Sequence, residues 1–107
     1  MSVSDNVKQT FADLQERFSG NSLGDFTASY LFDLGEDGGQ WTIAITDGSG
    51  VVSEGDGGSA DCTVTVDAEN FLKIVSKEAN AQMMFMTGKL KVKGNMGLAM
   101  KLQKVLG

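Results

Sequence analysis

The sequence predicts a two-layer α+β fold, and three observations predict it. Apolar residues recur at helical spacing near both ends and at a spacing of two through the middle. The middle segments are aromatic and β-branched on one side and mostly Thr, Ser and Asp on the other. Glycine-rich turns separate them. A sheet with one apolar face is covered on that face alone, so the helices pack on a single side. At 107 residues the chain is expected to be one domain, 1–107, with one modest core.

Val3, Val7, Phe11, Leu14 and Phe18 make the first helix, with Ser2 or Ser4 as N-cap and Gly20 as its stop. Phe26, Ala28, Tyr30 and Phe32 then alternate with Thr27, Ser29, Leu31 and Asp33, giving the first strand. Gly35 to Gly39 is a turn. Trp41, Ile43 and Ile45 mark the second strand, and Asp47-Gly-Ser-Gly50 is a hairpin turn into a short third strand, Val51 to Glu54. Glu54 to Ser59 is a loop. Cys62, Val64 and Val66 form the apolar side of the fourth strand.

Asp67 is placed to cap a second helix bearing Phe71, Leu72, Ile74 and Val75. Asn80 to Thr87 is a short helix. Lys89 to Lys93 is a fifth strand with Leu90 and Val92 inward and lysines outward, a pattern that also discourages edge-to-edge pairing. Asn95 caps a last helix, Met96 to Leu106, whose apolar residues cover well over half its circumference. A surface helix needs only about a 100° apolar stripe. The surplus is expected to be covered by the sheet, another helix, a ligand, a partner or a membrane.

Charge is divided along the chain. Residues 1–78 carry all 14 acidic side chains and four basic ones, a net of −10, whereas residues 79–107 carry five lysines and no acid. The overall charge of −5 argues against general nucleic-acid binding. The basic segment also holds Met83, Met84, Met86, Met96 and Met100, five of the six methionines. Methionine is flexible and polarizable, so such a cluster suits a soft core or a pocket for apolar guests.

The chain has no histidine, which removes the commonest general base and metal ligand, and one cysteine, which excludes an intrachain disulfide. Cys62 reads as a small core residue, and the acid pairs Glu36/Asp37 and Asp56/Asp61 as solvated turn residues. The Asp47–Asp61 region lacks the EF-hand pattern, and Gly48-Ser-Gly50 lacks the third glycine of a dinucleotide fingerprint. No enzyme, cofactor or metal is expected. No apolar run reaches the roughly 18 residues of a membrane span. With neither a signal peptide nor a C-terminal peroxisomal tripeptide, a cytoplasmic or otherwise intracellular location is expected. Gln82, a lone amide beside Met83-Met-Phe-Met86, is either an exposed helix position or a polar anchor in an apolar site.

The run Asn80 to Gln103 resembles the C-terminal signature of the sterol carrier protein-2 family, most specifically in Gly88-Lys-Leu-Lys-Val-Lys-Gly-Asn95. Gln40-Trp-Thr-Ile43, Asp47-Gly-Ser-Gly50 and Asp61-Cys-Thr-Val-Thr-Val66 match the family's middle strands in the same order. Ala44 departs from the acid that many members place there. The resemblance implies a five-stranded, mostly antiparallel sheet with helices on one face and a hydrophobic tunnel between the layers. It implies non-enzymatic binding and transfer of fatty acids, fatty acyl-CoAs, sterols or phospholipids.

It also carries over site positions. Gln82 is implied as the hydrogen-bonding group, and Met83, Phe85, Met86, Leu98 and Leu102 as cavity wall. Their inward neighbours Met100, Val105 and Leu106, with Trp41, Ile43 and Phe11 and with Phe71, Ile74 and Val75, extend the candidate wall. Lys89, Lys91, Lys93, Lys101 and Lys104 are a candidate head-group rim. The expected partners are a lipid ligand and, transiently, a membrane surface, with a monomer favoured over a dimer. A protein-interaction or dimerisation module using the apolar last helix is the alternative reading.

Overall fold

The structure, a computed structural model, describes residues 2–18, 24, 26–55, 58 and 60–106. Helix α1 (Val3–Phe18) opens the chain, and the side-chain oxygen of Ser2 accepts from the Asp5 amide at 3.1 Å, so Ser2 is the cap. Gly20 lies outside the described residues, as do Asp56 and Ser59 of the third loop. Strand β1 (Ala28–Asp33) is followed by one helical turn, α2 (Gly35–Gly38), where the sequence predicts a plain turn. Strands β2 (Gln40–Thr46) and β3 (Ser49–Glu54) form a hairpin. β3 starts two residues before Val51 because the turn needs only Asp47 and Gly48, both with positive φ (50° and 84°) as a type I′ turn requires.

Strand β4 (Cys62–Val66) leads into α3 (Ala68–Val75), whose cap Asp67 accepts from the Asn70 amide at 2.8 Å. Then come α4 (Ala81–Met86), β5 (Leu90–Gly94), α5 (Met96–Met100) and α6 (Leu102–Leu106). The predicted single last helix is thus two short ones. The break falls at Lys101, whose amide reaches back to Leu98 and Ala99, while the next turn starts afresh from the Lys101 carbonyl to the Val105 amide at 3.1 Å.

The five strands form one sheet in the order β3-β2-β1-β4-β5, with β1 and β4 parallel and the other pairs antiparallel. Helices cover one face, as the alternation predicts. Tyr30, Phe32, Ile43, Cys62 and Val64 point into that layer and are fully buried. The other face is mostly Ser, Thr, Gln and Lys, with Ala44 and the exposed Val51 also on it, and Leu31 is buried there on the central strand between Thr42 and Thr63. Two edges remain, and the β3 edge is closed by a side chain. Gln15 of α1 donates to the Gly50 carbonyl (3.0 Å) and accepts from the Val52 amide (2.7 Å), so one amide group stands in for a neighbouring strand.

The core is densest under α1. The Phe11 ring stacks on Trp41 at 4.4 Å and on Phe71 at 5.0 Å, with interplanar angles of 8° and 14°. This aromatic column ties α1, the sheet and α3 together and fills the β2 half of the helical layer. The β5 half is covered by α4, α5 and α6, helices of only five or six residues, and it is there that space remains.

Candidate functional site: an apolar cleft over the β5 edge

Local sequence signals build each wall of this space. Asn80 caps α4, its side-chain oxygen accepting from the Gln82 (2.8 Å) and Met83 (3.3 Å) amides. Ala81 and Met84 turn inward and anchor α4, leaving Gln82, Met83, Phe85 and Met86 on the outside of the core. The helix ends in a Schellman motif: Gly88, at φ 82°, donates to the Phe85 carbonyl (3.2 Å), and Lys89 to that of Met84 (2.9 Å). Lys89 is therefore part of the cap, and β5 begins one residue later than the lysine pattern predicts. Leu90 and Val92 face the helical layer. Gly94 then passes against the Asp61 carbonyl, and Asn95 caps α5 by accepting from the Gly97 (2.9 Å) and Leu98 (3.3 Å) amides.

The result is a cleft of about 360 Å³. Its floor is Leu90, Val92 and Leu102, its sides are Ala81, Phe85 and Ala99, and its mouth is Met86, Met96 and Met100. Asn80 and Gln82 are the polar residues on its wall. The mouth is open: Met86 is 73% exposed, Met96 48% and Met100 84%. The volume lies at the lower end of the roughly 300–1,000 Å³ of small-molecule sites. Apolar walls with two convergent polar groups can hold a chain-like apolar ligand and orient a polar end. Among the described residues, no three His, Cys, Asp or Glu side chains converge as a metal set would.

Helix α5 forms one wall of the cleft with no fully buried side chain; Leu98 and Ala99 pack half-buried against the core. Two polar contacts add to its hold. The Tyr30 hydroxyl donates to the Leu98 carbonyl at 2.7 Å, and the Lys101 ammonium sits 5.0 Å from the centre of the Phe26 ring. Burial holds the Tyr30 hydroxyl far above its ordinary value of 10.0, with the neighbouring Cys62 thiol adding to the shift. Burial also raises the Cys62 thiol, with Asp61 adding. Both groups are neutral in the folded protein.

The structure divides the sequence-predicted site residues. Gln82, Phe85, Met86, Met100 and Leu102 converge on the cleft. Phe11, Trp41 and Phe71 do not: they are the stacked aromatic column. Ile43 and Ile74 are fully buried core, as are Val105 and Leu106 at 1% exposure. Val75 borders a shallow hollow with Asn6, Gln9 and Thr10 of α1. Met83, 59% exposed, lies off the cleft wall, and Leu98 contributes its carbonyl to Tyr30.

The lysines do not ring the mouth. Lys91 and Lys93 pair with Thr65 and Thr63 on the opposite face of the sheet. Lys89 and Lys91 border a groove there with Asp33 and Thr65. Lys101 lies over Phe26, and the Lys104 side chain is outside the described residues. Asn80, Ala81, Leu90, Val92, Met96 and Ala99 line the cleft without having been singled out as site residues. Leu90 and Val92 had an inward reading, and Met96 belongs to the methionine cluster, so the signal for these three was present. The apolar surplus of the last helical segment is also accounted for: α6 spends its apolar side on the core, and α5 offers its methionines to the cleft.

Comparison with known proteins settles the family. The model of the SCP-2 sterol transfer family matches residues 9–107. The chain belongs to that family. It is 38% identical over 102 residues to the human hydroxysteroid dehydrogenase-like protein 2, a match covering 94% of this chain and 24% of that protein. It is 43% identical to human sterol carrier protein 2 over 65 residues, 61% of this chain and 12% of that protein. The chain thus spans about a quarter of the length of the dehydrogenase-like relatives it matches. Among solved structures, sterol carrier protein 2 like 2 from Aedes aegypti superposes with a TM-score of 0.77 at 24% identity, covering 94% of this chain and 96% of that one. The solution structure of the palmitated form of the same Aedes aegypti protein aligns with a TM-score of 0.73 at 26% identity, covering 99% and 95%. The family's fold, five mixed strands with helices on one face, is the fold observed. No helix among the described residues is long and apolar enough to cross a membrane.

Proposed function

We propose that this protein is a non-enzymatic lipid carrier that holds an acyl chain in the cleft over β5 and releases it at a membrane surface. The observation that carries the reading is the cleft itself: an apolar floor of Leu90, Val92 and Leu102, a mouth of three exposed methionines, and Gln82 beside it. The palmitated Aedes aegypti structure, similar along nearly its whole length, supports a fatty acyl ligand. The chain packs against Met86, Met96 and Met100, whose adaptable thioethers accept varied shapes. Gln82 hydrogen-bonds the polar end. Fatty acids, fatty acyl-CoAs, phospholipids and sterols are the candidate cargo, and the cleft's modest volume favours single chains over a rigid ring system.

Burying a 16-carbon chain at ~0.8 kcal/mol per methylene yields ~12 kcal/mol before association costs of ~4–15 kcal/mol. At the low end of those costs the net is about −8 kcal/mol, a micromolar affinity, weak enough for exchange. Helix α5, with no fully buried side chain, is the wall that moves, and its displacement converts the open cleft into the deeper tunnel that a full-length chain needs. Saturable displacement of a fluorescent fatty acid, with lipid retained in native mass spectra of the fresh protein, is the expected result. Absence of both overturns the proposal. The dimerisation alternative is less well supported, because α6 already uses its apolar side within the chain.

A further inference from the structure

The cleft mouth has a chemistry that lipid binding does not require. Any apolar side chain can wall an acyl chain, yet here the three most exposed apolar residues of the cleft lining are all methionines: Met86 at 73%, Met96 at 48% and Met100 at 84%. An accessible thioether is open to two-electron oxidation, which turns a flexible apolar side chain into a polar one. The two other methionines of the segment are internal references. Met84 is 7% exposed beneath α4, and Met83 is 59% exposed but off the cleft wall.

We propose that Met86, Met96 and Met100 form a redox modification site that switches the cleft from ligand-binding to ligand-releasing. The oxidant is a peroxide. The thioether sulfur attacks one peroxide oxygen and the O–O bond breaks. Sulfur is oxidised to the sulfoxide, and the other oxygen leaves as water after taking up the protons. Up to three S=O dipoles then stand where an acyl chain lies, and each is desolvated when the chain enters. Burying a polar group without a partner is costly, so a single buried sulfoxide weakens binding roughly tenfold. Methionine sulfoxide is reducible by the sulfoxide reductases, which makes the switch reversible. The affinity half of this inference rests on the carrier reading; the pattern of modification does not.

The test treats the intact protein with hydrogen peroxide, maps each methionine by peptide mass spectrometry, and titrates a fluorescent fatty acid before treatment, after it, and after sulfoxide reductase. The expected result is rapid oxidation of Met86, Met96 and Met100 with Met84 spared, binding weakened tenfold or more by this estimate, and recovery on reduction. Met83→Leu protein should respond as the parent does. In a Met86→Leu/Met96→Leu/Met100→Leu protein with the parent's circular dichroism, treatment should leave the affinity it started with unchanged. Full sulfoxidation of the three with unaltered binding overturns the switch and leaves the carrier reading standing. Oxidation of Met84 as fast as the mouth residues overturns the site. An untreated protein that binds no fatty acid overturns both.

Discussion

The Tyr30 hydroxyl, deep in the core on the central strand, donates to the Leu98 carbonyl of α5 at 2.7 Å. This one bond joins the rigid middle of the sheet to the least anchored helix of the cleft. Removing the hydroxyl leaves the Leu98 carbonyl with the Lys101 amide, at 3.1 Å, as a partner. Tyr30→Phe is therefore expected to cost only about 1 kcal/mol of global stability. Its larger effect is local: amides of residues 97–101 should exchange with solvent faster while those of β1 and β4 do not. Equal acceleration across the sheet would show that the bond is not a specific tether.

Tyr30 and Cys62, register partners across the parallel β1–β4 pair, also predict a pH dependence. Both keep their protons to higher pH when folded than when unfolded, chiefly because they are buried. Above their ordinary values of 9.0 and 10.0 the unfolded chain binds fewer protons than the folded one, so stability falls as pH rises. The contribution is complete at neutral pH and is lost progressively on the alkaline side. Urea midpoints should be level through neutrality and decline beyond 9.0, and Tyr30→Phe/Cys62→Ala protein should decline less steeply than the parent.

Two backbone positions make opposite predictions. Lys77 sits at φ 67° as the left-handed residue of the Schellman motif that ends α3, with its amide on the Ile74 carbonyl (3.2 Å) and that of Glu78 on Lys73 (2.9 Å). Lys77→Gly relieves that strain and should stabilise by about 0.5–1 kcal/mol. Gly94 is at φ 103°, and a Cβ there would stand 2.6 Å from the Asp61 carbonyl oxygen, a backbone atom. Gly94→Ala should destabilise by about 2 kcal/mol or more. Urea denaturation of the two variants measures both signs at once.

What was legible in the sequence follows from how local each signal is. The caps Asp67 and Asn95 act within three residues of themselves, and both accept the bonds their positions predict. The alternation at Trp41, Ile43 and Ile45 names the covered face because side chains on a strand alternate strictly. The cleft was less legible because it depends on which apolar residues are left over. Phe11, Trp41 and Phe71 have the same character as Phe85, and only the stacking of α1 and α3 over the sheet decides that they fill space instead of lining it. The head-group rim fails on the alternation itself: Lys91 and Lys93, outward on β5, stand on the face opposite the cleft-lining Leu90 and Val92.

Gln82 and Met86 give the last prediction because they lie four residues apart on α4, share the cleft wall and contribute differently. Met86 is mostly exposed and packs no core, so Met86→Lys should leave the folded state intact while placing an ammonium against the path of the acyl chain. An unpaired charge is far costlier to bury than a thioether, so binding of every apolar ligand should fall together. Gln82 instead offers an amide at a wet mouth. A hydrogen bond there is worth about 0.5–1.5 kcal/mol, or more with an ionised partner. Gln82→Ala should therefore weaken a free fatty acid by roughly threefold to tenfold and leave a plain hydrocarbon of equal length nearly unaffected. Competition titrations with the two ligands on both variants separate the roles. If Gln82→Ala weakens the hydrocarbon as much as the acid, Gln82 shapes the wall and does not anchor the head.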